Sequence, residues 1–190
     1  MANDTWRTPL EVFAYYDASY SFVCDVAASH KNNLCTRYFD EEYCGIDHSW
    51  TMHASSGDHV WLNPPYSDPK PFIKKAIDES KLNGIGSVIL LNHDMSVEWA
   101  SLLVNINCDI QVFIASGSKE NKDYHGGRMS FLNAEGKPTS GNSKGQFVAI
   151  IPPYVRNGIP TTTYISLGHV IEIGRVILNS TVNTRHLKAV

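Results

Sequence analysis

The sequence predicts an α/β protein whose sheet is mainly parallel and is covered by helices on both faces. Short apolar runs, such as residues 88–91 and 146–151, have the length and composition of buried strands. Segments with helical periodicity lie between such runs, for example the apolar stripe within residues 72–77. Strands that alternate with helices favour a parallel sheet, because each helix returns the chain to the sheet edge where it started.

The elements are expected in a definite order along the chain. Thr8-Pro9-Leu10-Glu11 has the pattern of a capping box with proline in the first helical turn, so a helix is predicted from there to about residue 19. Further helices are predicted from Asp68-Pro69 to Asn83-Gly84 and from residue 96 to about 104. Buried strands are predicted at residues 21–26, 59–62, 87–92, 110–114 and 146–151, and a short strand-like stretch at 128–132.

The whole chain of 190 residues is expected to form one domain. Its core is predicted at residues 6–153, with a polar loop region at 116–145 and a β-prone extension at 154–190. A hydrophobic content of 43% with 18% charged residues is typical of a globular protein. No apolar run is long enough to cross a membrane and no signal-peptide pattern is present, so a cytoplasmic location is expected. The four cysteines have no zinc-binding spacing, and no metal site is predicted.

The tetrapeptide Asn63-Pro64-Pro65-Tyr66, directly after a predicted strand, is the stretch that indicates chemistry. Two prolines make a stiff turn with outward carbonyls, because proline fixes its backbone angle and has no amide hydrogen. Such a turn can present the Asn63 side-chain oxygen and the Pro64 carbonyl as two converging acceptors. The two hydrogens of an adenine 6-amino group match that pair.

Accepting both hydrogens directs the nitrogen lone pair towards an electrophilic methyl group, so orientation and hydrogen bonding supply the catalysis. Tyr66 is predicted to stack on the base, a contact worth about 1–3 kcal/mol on comparable platforms. A base inside a duplex cannot reach such a turn, so the interpretation requires that the adenine be flipped out.

With these residues in view, the chain resembles the DNA N-6-adenine methyltransferase family of phages and prophages over residues 6–153. The matching pieces are Trp6-Arg7-Thr8-Pro9, residues 24–29, residues 61–67, Gly127-Arg128-Met129-Ser130-Phe131 and residues 146–151. The resemblance implies a Rossmann-like methyltransferase fold, S-adenosylmethionine as the methyl donor and adenine in double-stranded DNA as the acceptor. It also suggests a role in shielding phage DNA from restriction.

The resemblance further implies which residues bind the cofactor. Thr8 and Pro9 would contact its methionine end, and Asp25 and Ala27 would occupy the place of the usual cofactor loop. That loop departs from the common pattern, because alanines and a serine stand where a Gly-x-Gly is usual. Either Asp40 or Asp47 would bind the ribose hydroxyls or flank the cofactor adenine; solvated surface acids are the alternative.

The net charge of −3 is unevenly distributed, at about −6 for residues 1–60 and about +3 for the remainder. The acidic part suits a cationic sulfonium cofactor and the basic part suits a phosphate backbone. DNA contacts are predicted at cations of the glycine-rich region: Lys119, Lys122, Arg128 and Lys144, near which Lys137 also lies. The alternative for this region is a solvated loop.

Two other functions remain open from the sequence alone. The same tetrapeptide could serve an amino-methyltransferase acting on RNA adenine or on protein glutamine. The chain could also be a non-catalytic DNA-binding relic of such an enzyme, which the absence of the cofactor-loop glycines would favour.

Overall fold

The computed structural model describes residues 4–116, 126–139, 141–154 and 159–187, with side chains to residue 180. Within these residues the helices are α1 (Leu10–Tyr20), α2 (Lys70–Asn83), α3 (Glu98–Asn105) and α4 (Leu167–Leu187), with one 3₁₀ turn at Trp50–Met52. The strands are β1 (His59–Leu62), β2 (Gly86–Asn92), β3 (Asp109–Ile114), β4 (Gln146–Ile151) and β5 (Thr162–Ser166).

The described strands form one five-stranded sheet in the order β1-β2-β4-β3-β5. The α/β class is confirmed, but the expectation of a mainly parallel sheet is wrong. β1 pairs in parallel with β2, and β3 with β5, whereas β4 pairs antiparallel with both β2 and β3. β4 follows β3 through the polar region, and the described part of that connection contains no helix that would carry the chain back to the end of the sheet where β3 begins. β4 therefore enters the sheet centre in the direction opposite to β3. Its apolar composition indicated burial but carried no information about direction.

Alternating side chains along the strands bury two hydrophobic clusters, one on each sheet face. Val60, Leu62 and Ile89 pack with α2 and α3. Trp61, Val88 and Leu90 face the other way and pack with α1 and α4. This period-two alternation places helices on both faces, as predicted.

Two predicted strands take another form. Residues 21–26 run as extended chain beside β1, through Val23 N–H to the His59 carbonyl (3.1 Å) and Val26 N–H to the Trp61 carbonyl (3.0 Å). The other side of this segment bonds to residues 37–39, which are not a regular strand, so the ladder does not extend. Residues 128–132 also form no regular strand: Met129 N–H donates to the Gln146 side chain, and Leu132 makes isolated bridges to Arg7 and Pro138 instead of a continuous ladder.

The helix ends follow the predicted signals, whereas the side-chain caps predicted at Thr8 and at Asp68 are both absent. Gly84, at φ +65°, ends α2 as expected from Asn83-Gly84. The capping box at Thr8 is absent: Pro9 is the N-cap residue, and the Thr8 hydroxyl oxygen is buried without a hydrogen-bond partner among the described residues. The cap at Asp68 is absent because Pro69, one residue later, is the N-cap of α2. Among the described residues, none of the helices combines the length and apolarity that a membrane crossing requires.

In its described residues, the β-prone extension is strand only at Thr162–Ser166, and Leu167–Leu187 form the helix α4. Leu167, Val170 and Ile171 are buried against the sheet face that also carries α1. Gly174 continues this three-and-four spacing at the contact with α1. Burial of that stripe outweighs the strand preference of the many β-branched residues in α4.

Candidate active site

The Asn63-Pro64-Pro65-Tyr66 corner directly follows β1, at the edge of the sheet where the parallel strand β2 also ends. The Asn63 side-chain nitrogen donates to the Trp6 carbonyl at 3.4 Å. The Asn63 side-chain oxygen is buried and has no hydrogen-bond partner among the described residues. An unpaired buried acceptor costs about 1–3 kcal/mol, so its retention indicates a partner that arrives from outside the chain.

A cavity of about 360 Å³ lies between this corner and the segment that follows Asp25. The segment contributes small side chains, Ala27, Ala28 and Ser29, which let a ligand approach the backbone closely. Asn63 and Pro65 form part of the opposite wall. The predicted catalytic corner and the predicted cofactor loop thus meet in one cavity, of the size typical for a small-molecule ligand.

Asp25 lies beneath the cavity and is not among the residues that line it. Its carboxylate accepts from Leu34 N–H at 3.1 Å and from Ala27 N–H at 3.5 Å, so it holds the loop that forms the floor. Burial raises the pKa of Asp25 to about 7, and the two backbone hydrogen bonds only partly oppose that rise. This aspartate organises the loop from below.

Of the other predicted cofactor residues, Asp40 lines the cavity, whereas Asp47, Thr8 and Pro9 do not. Asp40 lines the cavity, and its carboxylate accepts from Glu42 N–H (3.1 Å) and Tyr43 N–H (2.9 Å), which fixes the turn that carries it. Asp47 is exposed and does not line the cavity. Thr8 and Pro9 are buried just beyond the lining residue Arg7.

The Tyr66 side chain lies on the sheet face that packs with α1 and α4. Its ring packs edge-on against Phe131, with 5.6 Å between centroids. Its hydroxyl is buried without a partner in the described chain, and burial raises its pKa well above the ordinary value. Tyr66 does not line the cavity, so its stacking on a base stays a prediction.

The segment Asp4–Arg7, named here the N-terminal strap, forms another wall of the cavity. Sequence reasoning assigned it no role, although Trp6 and Arg7 belong to the matched Trp6-Arg7-Thr8-Pro9 piece. Phe39 and Phe72 also line the cavity. Nothing in their spacing distinguishes them from ordinary core aromatics.

The predicted DNA-contacting cations are only partly within the described residues; Lys119 and Lys122 lie outside them. Arg128 is exposed, and Lys144 pairs with Asp94 at 3.1 Å. Gln146 fastens this region to the sheet, accepting from Met129 N–H at 3.0 Å and donating to the Asn92 side chain at 3.2 Å. Asn92 ends β2, so Arg128 and Lys144 lie at the same end of the sheet as the corner.

No group of three or more histidine, cysteine or acidic side chains that could hold a metal ion occurs in the part of the chain that the structure describes.

Comparison with known proteins agrees with this arrangement. The family model for DNA N-6-adenine-methyltransferase (Dam) matches residues 1–187. A protein of Escherichia phage T1 named DNA N-6-adenine-methyltransferase is 33% identical over 173 residues, covering 86% of this chain and 69% of its own. A protein of the same name from Haemophilus phage HP1 (strain HP1c1) is 31% identical over 174 residues, covering 90% and 91%. The chain therefore belongs to the DNA N-6-adenine-methyltransferase family.

Proposed function

We propose that the protein is a DNA methyltransferase that transfers the methyl group of S-adenosylmethionine to the 6-amino group of an adenine flipped out of double-stranded DNA. Membership of the family and the names of both phage relatives support the reaction class. The observation that carries the proposal is the buried, unpartnered Asn63 side-chain oxygen beside the cavity. It is an acceptor held ready for a donor that none of the described residues provides.

The chemistry follows from the corner. The Asn63 oxygen accepts one hydrogen of the adenine amino group, and the Pro64 carbonyl accepts the other. Both bonds draw the nitrogen lone pair out of the ring system and hold it in one direction, so the chain contributes orientation and charge complementarity. In the transfer, the amino nitrogen would gain a bond to the methyl carbon as the bond from that carbon to sulfur breaks, S-adenosylhomocysteine would leave, and the surplus amino proton would pass to solvent.

The cavity suits the proposed donor. Its volume of about 360 Å³, its floor of small side chains and the carboxylates of Asp40 and Glu41 fit a compact cationic nucleoside derivative. When bound, S-adenosylmethionine supplies an electrophilic methyl group. We assign the ribose hydroxyls to Asp40 in preference to the exposed Asp47, and the methionine end to Thr8 and Pro9. The buried, unpaired Thr8 hydroxyl supports the latter assignment.

DNA would approach the sheet edge that carries both the corner and Arg128. Arg128 and Lys137 are exposed and suited to phosphate contacts. Phosphate contacts are also proposed for Lys119 and Lys122, which lie outside the described residues. Lys144 is a weaker candidate, because Asp94 already compensates its charge. We keep the cytoplasmic location expected from the sequence as part of the proposal, and from the resemblance we infer that the enzyme shields phage DNA from restriction.

Transfer of labelled methyl groups to duplex DNA, RNA and protein extract tests the proposal. We expect label in adenine of duplex DNA. Asn63→Ala should lower that activity by about 100-fold or more, as does the loss of a preorganised hydrogen-bonding group in other enzymes. Asn105→Ala, at the exposed end of α3 and at the opposite sheet edge, is the matched control and should stay within about twofold.

The stability of Asn63→Ala adds a second criterion. Because the removed oxygen has no partner and the removed nitrogen makes only a 3.4 Å bond, the melting temperature should be unchanged or higher. S-adenosylhomocysteine should stabilise both proteins in a thermal-shift assay. Label found only in RNA or only in protein glutamine would show that DNA adenine is not the methyl acceptor. If S-adenosylhomocysteine gave no thermal shift and no substrate were labelled, the protein would be a non-catalytic relic.

A further inference from the structure

The N-terminal strap crosses the catalytic corner and is fastened on both sides of it. On one side, the Asp4 carboxylate accepts from the Ser67 N–H at 3.0 Å and from the Ser67 hydroxyl at 2.6 Å. On the other side, Arg7 and Leu132 exchange two backbone hydrogen bonds of 2.9 Å each. These contacts tie three distant parts of the sequence together around one asparagine.

Between the two fastenings, the Trp6 carbonyl accepts from the Asn63 side-chain nitrogen at 3.4 Å. A carbonyl oxygen can only accept, so the amide must turn its nitrogen towards the strap. Its oxygen is thereby directed to the position where it is buried and unpaired. With the amide reversed, two oxygens would face each other at the strap, and a nitrogen donor would face the incoming amine.

We propose that the strap is a positioning device for the catalytic amide: the Trp6 carbonyl selects the orientation of Asn63 that presents an acceptor to the substrate, and the Asp4–Ser67 clamp holds that carbonyl in place. The role of the acceptor rests on the proposed function, whereas the orientation of the amide does not. The proposal makes Ser67, which does not line the cavity, a residue that acts through Asn63.

The Asp4–Ser67 clamp matters because the hydrogen bond from the Asn63 side-chain nitrogen to the Trp6 carbonyl is long. At 3.4 Å, near the upper limit for a hydrogen bond, a small movement of the strap would abolish it. The stacking of Trp6 on Phe131, at 5.3 Å and 17°, restrains the side chain, but Asp4 and Ser67 fix the chain on the corner side.

Ser67→Ala removes the 2.6 Å bond of the clamp. We expect kcat to fall about fivefold, because a misdirected amide leaves the amine unaligned, with the KM values for DNA and methyl donor within about twofold. Ser67→Thr, which keeps the hydroxyl, should restore kcat. The matched control is Thr161→Ala: Thr161 likewise gives its N–H and its hydroxyl to one aspartate, Asp109, at 2.8 Å each, and lies at the opposite sheet edge. It should change kcat less than twofold.

Asn63→Asp distinguishes an effect of Ser67 on the orientation of the Asn63 amide from a general loosening of the structure around it. A carboxylate presents an acceptor in either orientation, so adding Ser67→Ala to Asn63→Asp should change kcat by less than about twofold. An equal loss in both backgrounds would show that Ser67 has only a structural role and would overturn the proposal. So would a kcat for Ser67→Ala that stays within twofold of the unmodified enzyme.

A readout independent of activity uses the ligand-free protein. The side-chain amide protons of Asn63, identified in NMR spectra by their loss in Asn63→Asp, should exchange with solvent at least about threefold faster in Ser67→Ala, and unchanged in Thr161→Ala. Equal exchange in the unmodified and Ser67→Ala proteins would overturn the strap proposal. A protein that shows the exchange difference but methylates nothing would instead refute the proposed function.

Discussion

Replacing Asp25 with asparagine is expected to remove a pH dependence from the free energy of unfolding. The Asp25 carboxyl is 3% exposed beneath the cavity. Burial raises its pKa from 3.8 to about 7. The neighbouring thiols of Cys24 and Cys35 remain neutral over this range, because burial raises the pKa of Cys24 to about 12 and the pKa of Cys35 well above its ordinary value. The aspartate is therefore the group at this position that titrates below neutrality.

The size of the effect follows from the two pKa values. Below pH 3.8 the carboxyl is protonated in the folded and the unfolded chain, and its contribution to stability is fully present. Between pH 3.8 and about 7 the unfolded chain releases the proton while the folded protein retains it. Each pH unit in that window costs about 1.4 kcal/mol, so the loss reaches about 4 kcal/mol near pH 7 and then levels off.

Urea unfolding followed by tryptophan fluorescence between pH 4.5 and 7.5 measures this contribution. The difference in unfolding free energy between the unmodified protein and Asp25→Asn should decrease steadily as pH rises. Asp94→Asn is the control, because hydrogen bonds from Ser96 and Lys144 lower the pKa of Asp94 to about 2. The stability contributed by that group is lost only as pH falls towards 2, so its difference should be flat in the window. Parallel pH profiles for the unmodified protein and Asp25→Asn would refute the reasoning.

Two further changes test the helix contact and the DNA surface. A Cβ on Gly174 would lie 2.6 Å from the Glu11 carbonyl carbon in α1. Gly174→Ala should therefore lower the free energy of unfolding by roughly 1–3 kcal/mol and lower the melting temperature. Gly126→Ala is the control and should change neither quantity, because a Cβ on Gly126 meets no atom within 4 Å. An unchanged melting temperature for Gly174→Ala would contradict the tight α1–α4 contact. Arg128→Ala should weaken duplex binding and reduce the slope of log affinity against log salt concentration by about 0.9. Lys81→Ala is the control, because Lys81 is also exposed but lies at the other end of the sheet. Equal slopes for Arg128→Ala and the unmodified protein would show that Arg128 does not contact DNA.

Most of the regular elements could be predicted from the sequence, because their signals are local. β1 coincides with the predicted strand at residues 59–62, and Gly84 ends α2 where a left-handed residue was expected. The C-terminal helix α4 was missed, since its β-branched residues favour strand until their spacing is matched to a buried face. Periodicity alone gives too little weight to such tertiary burial.

The candidate site was predictable in part. Asn63, Pro65, Ala27 and Asp40 all line the cavity, and each came from a motif or a resemblance. The position of Asp25 below the floor could not be foreseen, because it depends on N–H groups up to nine residues further along the chain. The strap was also missed, since its contacts with Ser67 and Leu132 join residues more than sixty positions apart.

The sequence by itself determined the α/β class, the stiff diproline corner after β1 and the small residues of the facing loop, because proline geometry, glycine ends and apolar runs act over a few neighbouring residues. Only the tertiary structure decided the antiparallel insertion of β4, the burial of Tyr66 against Phe131 and the orientation of the Asn63 amide. Each of these depends on which distant backbone lies alongside, and hydrogen-bond partners of that kind are fixed only once the chain has packed.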